Sequence, residues 1–298
     1  MRNQDETLKH IWKSGFPFQL RVEEEVRSTY SMHNWSIATR VHPWTNKETE
    51  SSGFIDLVLQ HDHFVTYRMV IECKRVKADD QRQLRWIFLV PEEGEKETQL
   101  ASCLEVGGTT TRIAQIGESV PDDKGWNYVQ IWENVNILPQ SLESSICVLP
   151  SDDSKSQPIL ERLASQVIDS VEGLGTEEIL VHRSQSHVAR LLAFLFPVIV
   201  TNAEISICRF NPSKVSILDG TLNSSAATLT TVPFIRFRKS LSTAFPEGTF
   251  STLKEANQAR ELTVFVVNTS SLPLLLKDWK MSARNFGGRF AIQNHISL

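Results

Sequence analysis

Two stretches of this sequence set an acid inside an apolar run: Gly53-Phe54-Ile55-Asp56-Leu57-Val58-Leu59 and Met69-Val70-Ile71-Glu72-Cys73-Lys74-Arg75. A carboxylate within a buried strand costs several kcal/mol unless it is paired or meets a cation. Asp56 and Glu72 therefore both need a partner. Side chains alternate along a strand, so Glu72 and Lys74 share one face while Ile71 and Cys73 take the other. Positions 56 and 72 are equidistant from 64. A hairpin centred on Phe64 thus sets Asp56 across from Glu72, with Cβ atoms roughly 4.5–5.5 Å apart. Two carboxylates at that separation suit a hard divalent cation. Mg²⁺ fits best, because it keeps several waters and takes one or two protein carboxylates, and Mn²⁺ is its natural substitute. Lys74 then stands where it could orient or deprotonate a water, or stabilise charge developing on a phosphate. These are the parts needed to hydrolyse a phosphodiester. The plain alternative is a structural ion pair of Glu72 with Lys74 or Arg68.

The elements that must position these groups are legible in the periodicity. Pro17 suits a first helical turn, and Phe18, Val22, Val26 and Tyr30 recur every four residues, so 17–30 reads as a helix bearing Glu23, Glu24 and Glu25. A strand follows over 35–42, then a polar turn over 45–52. Segments 54–60 and 64–76 form a hairpin around His61-Asp62-His63, a tip whose polarity needs no metal to explain it. A further strand is expected at 86–90, and loops with short strands (128–132 and 146–149 among them) through the acidic stretch after it. A helix should begin at Ser156-Gln157-Pro158, carry Ile159, Leu163, Val167 and Val171, and stop at Gly173. A second helix, 184–195, should feed a strand over 197–201. Strands at 204–210, 232–238 and 262–267 and a helix at 272–280 complete the chain.

Asp56 followed by Glu72-Cys73-Lys74, with the tail Ile71-Glu72-Cys73-Lys74 and a glutamate-bearing helix ahead of it, resembles the PD-(D/E)XK nuclease superfamily over residues 16–90. The resemblance implies an α/β chain with a restriction-endonuclease-like αβββαβ core and a mixed sheet. Residues 1–90 would hold the first part of that core, 91–154 a long acidic insertion, and 155–298 the completing helix (156–172), strand (197–201) and a basic α/β C-terminal extension. It also implies an Mg²⁺-dependent (endo)deoxyribonuclease: Asp56 and Glu72 hold the metal, Lys74 serves the water or the transition state, and an acid on the first helix faces the metal. Glu23 is the choice for that acid. Gln19, where Phe16-Pro17-Phe18-Gln19 resembles a Phe-Pro-Leu-Glu run of some relatives, and Glu25 remain open. Ile55 stands where the superfamily name has proline. The superfamily serves restriction of foreign DNA, phage defence and repair, and helicase or methyltransferase functions would here come from partner protein subunits, with a homo-oligomer also compatible. A glutamine at the helix position motivates a second reading, a non-catalytic nucleic-acid-binding or assembly protein that keeps the fold. RNA is a third, weaker substrate class.

Composition bounds the rest. The 298 residues carry 31 Lys+Arg against 35 Asp+Glu, a net charge of -4 that gives no global sign of a polyanionic partner. The total hides an asymmetry: residues 76–154 hold six Lys/Arg and fourteen Asp/Glu, net -8, whereas 182–298 hold thirteen and six, net +7. A basic stripe of Arg236, Arg238 and Lys239, with Lys277, Lys280, Arg284 and Arg289, is the leading expected nucleic-acid surface. His182, Arg183, His187 and Arg190 along a helix edge, and Gln83 and Arg85 after the hairpin, are weaker candidates. The cysteines, Cys73, Cys103, Cys147 and Cys208, form no CxxC pair, so neither a zinc cluster nor a disulfide framework is expected. A cytoplasmic protein with no membrane span and no signal peptide is the default reading. There is no GxSxG, GxxxxGK, GxGxxG or HExxH signature, and Cys73 should face away from Glu72 and Lys74.

Overall fold

The computed structural model of the chain describes residues 2–46, 50–62, 66–76, 85–91, 101–107, 110–116, 141–148, 159–184, 192–240, 252–253 and 261–279. The four-residue stripe of Phe18, Val22 and Val26 folds as α2 (Phe16–Ser28). It is entered through Gly15 at φ 86°, a left-handed conformation that burdens any residue with a Cβ. Ahead of it lies α1 (Arg2–Lys13), which the apolar spacing did not announce, and after it a short α3 (Tyr30–His33).

Three antiparallel strands follow: β1 (Ser36–Asn46), β2 (Ser51–Asp62) and β3 (Thr66–Lys74). After β4 (Arg85–Pro91), β5 (Ala101–Gly107), β6 (Thr110–Ile116), β7 (Glu143–Ser144) and β8 (Cys147–Val148) comes the long helix α4 (Ile159–Ser184). It leads to β9 (Leu192–Thr201), which lies parallel to β3 from Thr66↔Ala193 to Lys74↔Thr201. The remaining elements are β10 (Glu204–Phe210), β11 (Ala227–Thr231), β12 (Phe234–Ser240), β13 (Glu261–Asn268) and α5 (Leu272–Asp278). The larger, mixed sheet runs β1-β2-β3-β9-β13-β12-β7, and the β5–β6 hairpin pairs with the first half of β9. A second sheet runs β11-β10-β4-β8. The protein is thus an α/β chain with mixed sheets. Segment 91–154 supplies β5 to β8 and so contributes strands to both sheets.

Two cores hold the layers together. On one face of the large sheet, Val22 and Val26 of α2, Leu275 and Leu276 of α5, Trp35 and Trp279 bury Leu57, Leu59, Met69, Ile71, Val198 and Val200. On the other, α4 shares a core with Val58, Val70, Ile199 and Val266 and with Trp86, Phe88, Ile205 and Ile207 of the second sheet. Removing that much apolar surface from water is the main drive for the arrangement.

Three expectations about elements change. Gly173 does not end its helix: α4 passes through it to Ser184, because the missing side chain lets the helix approach β1, where a Cβ would meet the Thr45 carbonyl oxygen at 3.0 Å. The expected helix over 184–195 gives way to strand from Leu192, while 185–191 lie outside the described residues, as does 128–132. The polar turn expected over 45–52 is shorter, since β1 and β2 stay paired out to Asn46↔Ser51. Among the described residues no helix is long and apolar enough to cross a membrane.

Candidate metal centre

The β2–β3 ladder pairs Leu57 with Ile71, Val58 with Val70 and so on to Asp62 with Thr66, a register centred on position 64 as the spacing requires. Asp56 and Glu72 are the next pair in that register, one step past the last rung. There the strands separate. β2 continues against β1 down to Ser51, whereas β3 continues against β9, with Glu72 beside Ile199 and Lys74 beside Thr201. The fork is closed by a side chain: Oδ2 of Asp56 accepts the Cys73 backbone N–H at 2.7 Å.

Both acids are half-buried, and their proton affinities show it. Burial raises the Asp56 pKa, partly offset by the Cys73 N–H. Glu72 is pushed up to about 8, by burial first and then by the negative charge of Asp56, with Lys74 pulling the other way. Burial likewise pushes the Cys73 thiol up, so it is no ready nucleophile. The structural ion pair that would explain Glu72 away is not made. Arg68 instead binds Glu178 of α4 at 2.9 Å, and Glu72 and Lys74 form no side-chain hydrogen bond or ion pair with any described residue. Two half-buried carboxylates side by side are oxygen donors of the type that hard divalent ions take.

The helix candidates separate clearly. Gln19, only 6% exposed, donates through Nε2 to the Asp56 carbonyl at 2.9 Å and so reaches the fork. Glu23 does not join it: Oε1 takes Arg27 at 2.6 Å and Arg40 at 3.1 Å, while Oε2 is buried with no hydrogen-bond partner among the described residues. Glu25 pairs with Arg21 at 2.6 Å. Consistently, no group of three His, Cys, Asp or Glu side chains gathers around a common point among the described residues. Of the three helix candidates, Gln19 is the one that bonds to Asp56.

Two members of the expected basic surface are buried. Arg236 and Arg238 do share a face of β12, but they are 2% and 8% exposed. Arg236 donates to the Ser141 carbonyl at 2.8 Å, and Arg238 bridges Glu143 at 2.8 Å and Glu261 at 2.9 Å, while Lys239 binds Glu161 at the start of α4. With β13 on one side and β7 on the other, β12 is internal to the sheet, so its charges meet acids rather than water or phosphate. Arg85 pairs with Glu204 at 2.8 Å, and His61 is buried edge-on to Trp35. Lys277 is exposed on α5. Gln83, His63, His187, Arg190, Lys280, Arg284 and Arg289, and the side chains of His182 and Arg183, lie outside the described residues.

Sequence reasoning passed over one feature. Trp12, Pro17, Phe18, Arg75 and Asn202 line an open pocket of about 250 Å³. The Arg75 guanidinium donates to the Trp12 carbonyl, and the Asn202 amide clamps Val76 through Oδ1 at 2.6 Å and Nδ2 at 2.9 Å. The available signal was the short apolar spacing from Trp12 to Phe18 across Gly15. Compared with known proteins, the chain matches no family model, no curated protein and no solved structure.

Proposed function

We propose that the protein is an Mg²⁺-dependent nuclease of the PD-(D/E)XK type, hydrolysing phosphodiester bonds in DNA. One observation carries the reading: Asp56 and Glu72 are the next pair in register at the point where β2 and β3 part, two half-buried carboxylates side by side. The order of elements supports it, since α2, β1, β2, β3, α4 and β9 follow the αβββαβ order of a restriction-endonuclease-like core, with β9 beside β3.

Asp56 and Glu72 would hold the ion, which when bound supplies positive charge to the phosphate and lowers the pKa of an attacking water. Asp56 is pre-positioned at both ends, its carboxylate by the Cys73 N–H and its carbonyl by Gln19. Lys74 shares the face of Glu72, whose charge it favours without a direct ion pair, and would orient the water or stabilise the phosphate in flight. Restriction or phage defence in the cytoplasm, with partner subunits, is the setting that suits such an enzyme. Asp56→Asn and Lys74→Ala should each cut plasmid cleavage with Mg²⁺ by roughly 10²-fold or more. Unchanged melting would show both variants folded, and a wild-type rate in either one would overturn the reading.

The amide at Gln19 and the arginines holding Glu23 favour one alternative, a non-catalytic nucleic-acid-binding or assembly protein that retains the nuclease fold. Calorimetry at pH 8 separates the two: binding of Mg²⁺ or Mn²⁺ supports the enzyme, and no binding supports the scaffold.

A further inference from the structure

We infer that the protein self-associates through β11, which pairs antiparallel with β11 of a second copy about a two-fold axis at Leu229. Antiparallel strands alternate between rungs that exchange backbone hydrogen bonds and rungs that do not. The Val232 N–H donates to the Ile205 carbonyl at 2.9 Å, and the ladder runs on without a bulge from Ser206↔Thr231 to Phe210↔Ala227. Val232, Thr230 and Thr228 therefore turn their backbone groups toward β10. Ala227, Leu229 and Thr231 turn theirs outward, and among the described residues no strand pairs with that edge.

An open edge is a template for another strand unless something blocks it. The other edge strands described are blocked. β1 carries Pro43, a register shift between Ile37 and Thr39, and a left-handed Val41 at φ 47°. β7 and β8 are two residues long, and β6 carries Arg112. β11 has no charge, no proline and no bulge, and the sequence from Gly220 to Ile235 contains no Asp, Glu, Lys, Arg or His.

The occupant that fits this edge is a second copy. A two-fold axis sets each residue against its own mate, so a strand suits itself only where no like charges meet. Centred on Leu229, the pairing sets Leu229 against Leu229, Thr228 against Thr230 and Ala227 against Thr231. Among registers that match outward groups with outward groups, this one uses the whole strand. Leu229, 54% exposed in one copy, then meets its mate on the same face, and the threonines form cross-strand pairs. A ladder this short buries little surface, so the dimer is a weak one, with Kd on the order of micromolar.

Sedimentation velocity of the full chain in EDTA, from low to high micromolar concentration, tests this. Wild type should pass from monomer to dimer. Leu229→Lys and Leu229→Glu should each raise Kd by roughly 10-fold or more, through the lost apolar contact and the facing like charges. An equimolar mixture of the two should associate again, because a two-fold pairing at this residue sets 229 against 229. Hydrogen exchange of wild type should slow at the Leu229 and Thr231 amides as concentration rises, a readout that needs no variant to fold. A wild type that stays monomeric, variants of unchanged melting that dimerise as wild type does, or a mixture that stays monomeric would overturn the inference. So would a dimer lost only in Ile217→Ser and Leu218→Ser, since those fully exposed side chains on the β10–β11 connection would then be the contact.

Discussion

The Asp56 carboxylate binds the backbone N–H of Cys73 at 2.7 Å, completing with a side chain the ladder that β2 no longer supplies. That bond holds the acid at the mouth of the strand fork, one register step from Leu57↔Ile71, and keeps it next to Glu72. Burial first, and then the negative charge of Asp56, push the Glu72 pKa up to about 8, with Lys74 pulling the other way.

On the nuclease reading, a cation held by Asp56 and Glu72 must displace the Glu72 proton. Affinity for Mg²⁺ or Mn²⁺ should rise about tenfold per pH unit from about pH 6 and level off above pH 8. Titrations in two buffers of different ionisation enthalpy should register close to one proton released per ion at pH 7. An affinity independent of pH would place the ion elsewhere.

Without metal, the same residue makes stability depend on pH. The folded state holds the Glu72 proton up to about 8 and the unfolded chain only to 4.5, so the folded state binds more protons between those values. Stability should therefore be intact below pH 4.5 as far as this group is concerned and fall as pH rises to 8. Glu72→Gln should flatten that fall and raise the melting temperature of the metal-free protein at pH 8. A variant that melts lower than wild type there would contradict the assignment of strain to this carboxylate.

Gln19→Glu would put a third carboxylate where the amide now meets the Asp56 carbonyl. It trades a hydrogen bond for a facing acceptor and a like charge, a loss of about 1–3 kcal/mol in the metal-free protein. Added Mn²⁺ should recover that loss and bind more tightly than to wild type. Equal Mn²⁺ affinity in the two proteins would show that position 19 does not face the ion.

Arg238→Ala should destabilise by about 3–5 kcal/mol in chemical denaturation, because it removes the buried guanidinium that bridges Glu143 and Glu261. The dependence of DNA affinity on salt should keep the wild-type slope, since a buried guanidinium neutralises no phosphate. A shallower slope would return Arg238 to the nucleic-acid surface.

How much of this was legible follows from which distances in sequence each feature spans. The hairpin register came from a midpoint between two acids, and the strands came from alternation, both properties of neighbouring residues. Gln19 and Glu23 lie one helical turn apart on the same stripe. Periodicity alone leaves the choice between them open; in the fold Gln19 meets the Asp56 carbonyl while Glu23 meets Arg27 and Arg40. Gly173 reads equally as a helix stop and as a close contact, and only the presence of Thr45 beneath it selects the second.

The sequence by itself determined the local parts of this protein: the two acids on adjacent strands, their alignment, and Lys74 on the face of Glu72. Those follow from strand geometry, which repeats every two residues whatever surrounds it. Tertiary structure decided what each charge meets. Alternation put Arg236 and Arg238 on one face without saying what covers it, and acids from positions 143 and 261 came to Arg238 only when β7 and β13 flanked β12. The net charge of +7 over residues 182–298 therefore overstated the basic surface. A charge counted along the chain becomes a surface charge only where the packing of distant strands leaves it in water.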